Sequence, residues 1–391
     1  MLVMEVDPGS EICEPEVPAS SPVPGRAVAH PGTNRTVAPH QGSGQGSCQT
    51  AHQALRQTRH DWRPLAGAAL LERLRITGRP RPEPDPQLVV TLRRGLEEGL
   101  IDHDPGDAHT DSRTRVDGVG GVDPSSALPL VVTKDRLNRV LACEAHHAAA
   151  EFGERTFTTA LACGAMIDVL FRQLVTIGRI DDPVADGLSA LSVDDRQRDL
   201  VSWIGRLPHA TQDELFAEVV RQAGGLIRRW PALDPGWMPR TQEALRVRLA
   251  GGAIELSARV DLAVGRPVED LASVAIVEVK SGTRRVEHRA DLHFYALIES
   301  LRNPAPPFVV ATYYTRTGEL DVDPVSGELL VAAARRTLAG IRSLRELAAG
   351  AEPRRTPNGL CGWCAALPEC DPGRRLTGVS LRRPVEDQVP R

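Results

Sequence analysis

Two carboxylates and one ammonium group are the side chains of this sequence best suited to chemistry. Asp261 lies near the end of one apolar segment, and Glu278 and Lys280 lie two residues apart in the next. Side chains alternate between the two faces of a β-strand, so Glu278 and Lys280 project from one face if their segment is a strand. Pairing of the two segments would then bring both carboxylates and the ammonium into one small volume.

This combination of side chains suits the hydrolysis of a phosphodiester. A hard divalent cation such as Mg²⁺ takes oxygen ligands, commonly one or two carboxylates together with phosphate oxygens and water. An ion held in this way neutralises charge on the phosphate and acidifies a bound water, and a lysine beside it can orient that water. The alternative is that Asp261, Glu278 and Lys280 form an ion cluster on the surface of an antiparallel sheet.

Lysine is rare in this chain. Of 47 Lys and Arg residues, only Lys134 and Lys280 are lysine. An ammonium is a compact charge whose pKa can be lowered, whereas a guanidinium stays protonated. A lysine at position 280, in a chain that otherwise uses arginine, therefore favours a chemical role.

The segments around these residues predict an α/β domain. Alternation of apolar and polar residues predicts a three-stranded meander, followed by one further strand. Helical spacing of apolar residues before and after the meander predicts helices that flank the sheet. The predicted helices span 65–75 and 88–101, both weakly patterned, and 133–152, 157–177, 193–206, 211–229, 288–302 and 327–349; the predicted strands span 242–249, 253–264, 274–280 and 308–315.

Composition divides the 391 residues into four segments. Residues 1–60 are rich in Pro, Gly, Ser and Gln without apolar periodicity, so we expect a disordered tail. Residues 61–127 combine the two weak helical patterns with a polar linker. The compact domain is expected over 128–375, and a flexible tail over 376–391.

Composition also bears on location and partners. No apolar run approaches the roughly 18 residues that a membrane helix needs, and the acidic, proline-rich start is unlike a secretory signal. We therefore expect a cytoplasmic protein without membrane contact. The formal charge of −4 neither indicates nor excludes a nucleic-acid partner.

Basic residues follow Lys280 at the point where the next helix is predicted to begin. Arginines there could contact phosphates without reading base sequence. The alternative is a solvated basic face. The residues are Arg284, Arg285, His288 and Arg289.

Three of the seven cysteines have a spacing typical of a metal site, and a fourth lies in a helix before the predicted strands. Cys361, Cys364 and Cys370 form a C-x2-C-x5-C pattern, and Cys143 lies in the first helix predicted for the compact domain. Cytoplasmic proteins seldom form disulfides, so clustered thiols indicate a metal or redox site. Four thiolates suit an iron–sulfur cluster or tetrahedral zinc, and a zinc site could also use His146.

The sequence resembles the PD-(D/E)XK nuclease superfamily, in particular its RecB-like branch. The family pattern is an aspartate, then (D/E)-x-K followed by a small residue and glycine, which maps onto Asp261, Glu278, Lys280, Ser281 and Gly282. The resemblance implies a restriction-endonuclease-like core. It also implies that Asp261 and Glu278 bind Mg²⁺ or Mn²⁺ and that Lys280 activates water.

Two further family motifs are present with one substitution each. The family's Gln-Leu-x-x-Tyr-Ala reads Asp291-Leu-His-Phe-Tyr295-Ala here, and its upstream Gly-x-x-x-His reads Gly164-Ala-Met-Ile-Asp168. By this resemblance Tyr295 belongs to the catalytic site, with ordinary core packing as its alternative. Asp168 would supply a third oxygen ligand to the metal.

Iron–sulfur members of the RecB-like branch, such as AddB-type subunits and CRISPR-associated exonucleases, have one cysteine before the nuclease core and three behind it. By this resemblance Cys143, Cys361, Cys364 and Cys370 hold a [4Fe-4S] cluster. The implied function is a metal-dependent DNA nuclease, an exonuclease on single-stranded or unwound DNA, with a separate helicase or CRISPR-associated protein as candidate partner. Two alternatives stay open: a catalytically silent nucleic-acid-binding subunit of the same fold, and a zinc-clasped scaffold.

Overall fold

The computed structural model describes a six-stranded sheet between two layers of helices. The residues described are 85–101, 128–152, 156–267 and 272–378. The predicted tail 1–60, the predicted helix 65–75, most of the linker before 128 and most of the tail after 375 lie outside them.

The strands are β1 (Leu130–Val132), β2 (Arg240–Leu249), β3 (Ile254–Val264), β4 (Ala275–Lys280), β5 (Val309–Tyr314) and β6 (Glu319–Pro324). The antiparallel strands β2, β3 and β4 are the meander that the sequence predicts. The sequence does not predict β1, which is too short to show alternation, or β6, whose acidic residues lie at the outer edge of the sheet.

Strand β3 organises the sheet. One of its edges pairs with β2 along its length, and the other edge is shared by β1 and β4. β1 pairs with residues 254–256 and β4 with residues 262–264. β5 continues the sheet in parallel with β4, and β6 closes it in antiparallel orientation. Within the described chain, residues 257–261 therefore form an unpaired stretch of the shared edge.

The helices cover both faces of the sheet. α4 to α7 form one layer, and α1, α2, α8 and α9 form the other. Strand β4 contributes side chains to the cores on both faces of the sheet. Val277 packs in the core beneath α4 to α7, and Ile276 packs in the core on the opposite face, because side chains alternate along a strand. The bounds are α1 Pro86–Ile101, α2 Lys134–Ala142, α3 Glu144–Phe152, α4 Thr159–Ile177, α5 Pro183–Val193, α6 Arg198–Gly205, α7 His209–Arg229, α8 Val286–Arg302, α9 Gly327–Ala348 and α10 Asp371–Thr377.

The structure divides the single helix predicted over 133–152. Cys143, between α2 and α3, has extended backbone angles, φ −166° and ψ 117°. Apolar residues keep helical spacing on both sides of this break, so the sequence pattern does not reveal it. Likewise, the helix predicted over 193–206 begins only at Arg198, and the sequence does not predict α5.

Helix α4 is long and apolar enough to cross a membrane. Its 19 residues include a window of mean hydropathy 1.6, so the expectation that no apolar run approaches membrane length is wrong. Buried side chains of α4, among them Met166, Leu170 and Phe171, belong to the core between α7 and the sheet. The core helix of an α/β domain passes the same test of length and composition, so this is weak evidence for a membrane span.

The turn after β3 requires glycine at position 265. Gly265 has φ 87°, and a Cβ atom there would collide with the carbonyl oxygen of Ser273. Replacing Gly265 by Ala should lower the free energy of unfolding by about 1–2 kcal/mol for the left-handed backbone and by about 1–3 kcal/mol more for the clash. Urea denaturation measures this loss.

Gly251→Ala is the matched control. Gly251 also has a left-handed φ, 63°, but no neighbouring atom lies within 4 Å of the point that a Cβ would occupy there. Its substitution should cost only the backbone part, about 1–2 kcal/mol. Equal losses in the two variants would show that the turn can move away from Ser273.

Candidate active site

Asp261 and Glu278 lie where β4 separates from β3. Leu262 and Val277 form the last pair of the register, so Asp261 and Glu278 follow at its open end. The carboxylate of Asp261 accepts the backbone N–H of Val279 at 2.7 Å, which gives this amide a partner beyond the ladder. Both carboxylates line a cleft of about 320 Å³ at this fork.

Glu278 is buried and binds two ammonium groups. Its Oε1 accepts hydrogen bonds from Lys280 Nζ at 2.7 Å and from Lys134 Nζ at 2.5 Å. Its Oε2 is buried and has no hydrogen-bond partner among the described residues. Burial opposes the ionisation of Glu278, but the charges of the two lysines outweigh it and lower the pKa to about 2. The carboxylate is therefore ionised and keeps one oxygen free.

Sequence reasoning did not place Lys134 in the site. Lys134 is the first residue of α2, directly after the N-cap Thr133, and β1 holds this point of the chain against β3. Its Nζ also lies 4.0 Å from Asp291 Oδ2 and 5.3 Å from the ring centre of Tyr295. The scarcity of lysine was the available signal, because both lysines of the chain contact Glu278.

A third carboxylate, Asp168 of α4, joins the site through Gln242 of β2. The amide of Gln242 donates to Asp168 Oδ1 at 2.9 Å and to Asp261 Oδ1 at 3.4 Å. Gln242 has φ 55°, a left-handed conformation that is costly for a residue with a side chain and concentrates at functional sites. Arg172 contacts the other oxygen of Asp168 at 3.2 Å. No pattern in the sequence indicates this role of Gln242.

The acidic side chains disfavour one another's ionisation. Burial raises the pKa of Asp261, and the charges of Glu278 and Asp168 raise it further. Burial also raises the pKa of Asp168, where Arg172 opposes the effect and Glu278 adds to it. Negative charges confined in this way are stabilised by a bound cation.

Helix α8 brings Asp291 and Tyr295 to the two lysines from one helix face, since they lie four residues apart. Asp291 accepts hydrogen bonds from Asn138 Nδ2 at 2.7 Å and from Lys280 Nζ at 3.5 Å. Tyr295 is fully buried in the core, and burial, with a further contribution from Glu278, raises the pKa of its hydroxyl. Tyr295 is therefore both a residue of the packed core and a neighbour of the candidate site.

The basic residues after Lys280 divide into two pairs. Arg284 and Arg289 form ion pairs with Asp321 and Asp323 of β6. By contrast, the other two residues line the cleft that contains the carboxylates. Those residues, available to a phosphate in the cleft, are Arg285 and His288.

The carboxylates are ligands of the type that a hard divalent cation prefers, but their present arrangement is not a complete coordination site. In the parts of the chain that the structure describes, no three carboxylate, imidazole or thiol groups are placed to hold a metal ion as they stand. Nevertheless, Asp168, Asp261 and Glu278 line one cleft, and a buried oxygen of Glu278 lacks a partner. Oxygen-only ligands of this kind suit Mg²⁺ or Mn²⁺.

The four cysteines predicted to bind a metal line one cavity; they are Cys143, Cys361, Cys364 and Cys370. The backbone N–H of Thr356 donates to Cys143 Sγ at 3.4 Å, and that of Asn358 donates to Cys361 Sγ at 3.3 Å. Burial raises the pKa of Cys364, and the nearness of the other three thiols adds to this. Converging thiols with N–H donors to sulfur fit a thiolate-bound metal or cluster.

Hydrogen bonds tie the C-terminal segment to the helix break at Cys143. The backbone N–H of Arg354 donates to Glu144 Oε2 at 2.9 Å, and its guanidinium Nε donates to Glu144 Oε1 at 3.0 Å. Asn358 Nδ2 donates to the carbonyl oxygen of Ala142 at 3.0 Å. These contacts bring the extended Cys143 to the segment that carries the other three thiols.

Comparison with known proteins identifies a family for the compact domain. A family model described as the PD-(D/E)XK nuclease superfamily matches residues 132–371, a range that contains the three carboxylates, both lysines and the four cysteines. No curated protein matches the chain. Among solved structures, a candidate exonuclease from Eubacterium rectale is similar at 14% identity and a TM-score of 0.40, over 65% of this chain and 90% of that one.

Replacing Asp261 by Asn should stabilise the metal-free protein. Because the pKa of Asp261 is raised in the folded state, the contribution of this group to stability is highest below the ordinary aspartate pKa and is lost as the pH rises from there through the raised pKa. Asn removes the charge and keeps an oxygen for the amide of Val279. We expect a higher Tm in EDTA at pH 7.5, by about 2–4 °C for each kcal/mol regained, and a smaller gain at acidic pH.

Asp181→Asn serves as the control, because Asp181 is exposed in a surface pair with Arg179 and should leave the Tm unchanged. Mn²⁺ should raise the Tm of the wild type and have little effect on Asp261→Asn. An Asp261→Asn variant no more stable than the wild type in EDTA would show that the carboxylates do not repel one another.

Proposed function

The chain belongs to the PD-(D/E)XK nuclease superfamily, and we propose that it is a Mg²⁺- or Mn²⁺-dependent deoxyribonuclease that acts as an exonuclease on single-stranded or unwound DNA. One observation carries this proposal. Glu278 is buried and ionised between two lysines, its Oε2 has no hydrogen-bond partner among the described residues, and Glu278 lines the same cleft as Asp261 and Asp168.

The proposed metal ligands are Asp261 and Glu278, with Asp168 as a third oxygen donor. A bound divalent ion would supply charge neutralisation at the phosphate and a more acidic water. Gln242 holds two of these carboxylates side by side through its amide.

Lys280 is the proposed partner of the attacking water. Its ammonium lines the cleft and lies within hydrogen-bond distance of Glu278. In this position it would orient a water against the phosphorus atom and stabilise the charge that develops on the phosphate oxygens. Lys134 supports this role, because Glu278 keeps one ammonium partner when Lys280 engages the substrate. Arg285 and His288 would hold phosphate oxygens in the same cleft.

The four cysteines are proposed to hold a [4Fe-4S] cluster, with zinc as the alternative. Their shared cavity and the N–H donors to Cys143 and Cys361 support a bound metal, and the choice of iron–sulfur rests on the resemblance to the RecB-like branch. The cluster would join the helix break to the C-terminal segment, so its binding energy would contribute to folding. We further propose a cytoplasmic location and a separate helicase or CRISPR-associated protein as partner.

Lys280→Ala should abolish most cleavage. Loss of a positioned group that handles a proton costs about 10²–10⁴-fold in rate. The measurement is degradation of end-labelled single- and double-stranded DNA with Mn²⁺, using protein purified without oxygen. The control is Arg196→Ala, which removes an exposed ion pair with Asp194 and should cleave like the wild type.

Equal degradation by the wild type and Lys280→Ala would contradict the nuclease proposal. If instead the wild type binds DNA but cleaves none with any divalent metal, the protein is a silent binding subunit of the same fold. A preference for RNA strands would correct the substrate class and keep the reaction.

Protein purified without oxygen should be brown, contain about four iron and four sulfide per chain as the proposed cluster type requires, and lose its colour in Cys364→Ser. Cys163→Ser is the control, since Cys163 is another free cysteine but is buried in the core beside Gln222, away from the other thiols. The control should keep its iron. A colourless wild type with one zinc per chain would establish the zinc alternative.

A further inference from the structure

A second groove lies beside the proposed metal centre, along the unpaired stretch of β3. Its volume is about 240 Å³, and it contains none of the three carboxylates of the cleft. It extends from the start of α2 across β3 to β2. Its polar lining residues are Thr133, Lys134, Asp135, Arg246, Ser257, Arg259 and Tyr295.

The groove has a positive charge balance. Lys134, Arg246 and Arg259 contribute three cations against the single carboxylate of Asp135. Lys134 is paired with Glu278, whereas the two arginines are exposed; Arg246 Nε lies 3.9 Å from Glu255 Oε1. Such a lining favours an anion and, because arginine offers a planar fork of donors, a phosphate in particular.

The register of β2 and β3 places the two arginines in consecutive rows that lead away from the metal centre. Arg259 precedes Asp261 by two residues on β3 and pairs with Ala244, whose small side chain leaves room above the strands. Arg246 lies in the next row, opposite Ser257. One row of a strand advances by about 6.6 Å, twice the rise per residue. This step is comparable to the distance between successive phosphates of an extended single strand.

The charge of Arg259 also acts on a carboxylate of the proposed metal centre. Burial raises the pKa of Asp168, and the charge of Arg259 acts on Asp168 in the opposite direction, as does that of Arg172. The charge of Arg259 therefore reaches a carboxylate of the cleft, and along β3 Arg259 is nearer to Asp261 than the row of Arg246 is. A strand that left the cleft along β3 would meet Arg259 first and Arg246 next.

We propose that this groove binds the backbone of one DNA strand next to the bond that is cleaved, with Arg259 at the first phosphate beyond the scissile one and Arg246 at the second. The inference rests on the proposed function, because it needs a DNA strand in the cleft. It adds a substrate preference. A single strand can follow the unpaired edge of β3, and the enzyme should recognise it by its phosphates without reading bases.

The test measures binding apart from cleavage. Fluorescence anisotropy of labelled oligo-dT in Ca²⁺ gives Kd values over a series of salt concentrations, for full-length wild type, Arg259→Ala and Arg246→Ala. Each lost phosphate contact should reduce the slope of log K against log salt by about 0.7 for a single strand. A length series should show the loss from Arg259→Ala in shorter oligonucleotides than the loss from Arg246→Ala.

Two variants serve as controls. Arg248→Ala removes an arginine two residues further along β2 that does not line the groove. Arg248 is paired at 3.2 Å with Glu255, the carboxylate that Arg246 also contacts, and its loss should keep the wild-type slope. Arg259→Lys retains the charge and should restore most of the slope lost in Arg259→Ala. A role of Arg259 in folding alone would lower the Tm of both substitutions and leave the slope unchanged.

The outcomes separate this inference from the proposed function. Suppose that the enzyme cleaves DNA and that both alanine variants keep the wild-type slope of log K against log salt. This result would refute strand binding in the groove and leave the nuclease proposal intact. Reduced slopes in a protein that never cleaves DNA would support the groove and overturn the proposed catalysis. The wild type could instead bind a blunt duplex more tightly than oligo-dT, with the same reduction of the salt slope in both alanine variants. This result would refute the preference for a single strand.

Discussion

The buried carboxylate of Glu278 and its two ammonium partners are the interaction on which the site depends. An ionised carboxylate away from water is stable only when paired and hydrogen-bonded. Lys280 comes from the same strand, whereas Lys134 comes from a helix 144 residues earlier in the chain. Because both bind the same oxygen, the other oxygen is left buried without a hydrogen-bond partner among the described residues. The pairing thus keeps Glu278 charged and leaves it able to bind a cation.

The shared edge of β3 explains why these groups meet. β1 and β4 occupy its two ends and leave residues 257–261 unpaired. β1 brings Lys134 towards this gap from one side, and the fork of β4 brings Glu278 and Lys280 from the other. Asp261 and Arg259 both lie on this unpaired stretch of β3. The proposed metal centre and the proposed strand-binding groove therefore share one feature of the sheet.

Local patterns of the sequence suffice for much of this architecture. The α/β, restriction-endonuclease-like fold expected from the sequence is confirmed by the sheet between helical layers and by the family match. The alternation of β4 correctly predicts that Glu278 and Lys280 share a face. Family motifs directed attention to Asp168, Asp291 and Tyr295, and all three have a neighbour within the site. The spacing of Cys361, Cys364 and Cys370, with Cys143 added by the resemblance, likewise agrees with the one cavity that all four line.

The sequence by itself determined the elements with a strong period and the residues that carry chemistry within one strand or one loop, because these depend on contacts between near neighbours. Only the tertiary structure decided the roles of Lys134 and Gln242 and the helix break at Cys143. Each depends on a contact between distant segments: Lys134 with Glu278, Gln242 with Asp168, and Cys143 with the amide of Thr356. No local pattern encodes such a contact, since its geometry exists only after β1, β2 and the C-terminal segment have packed against the same core.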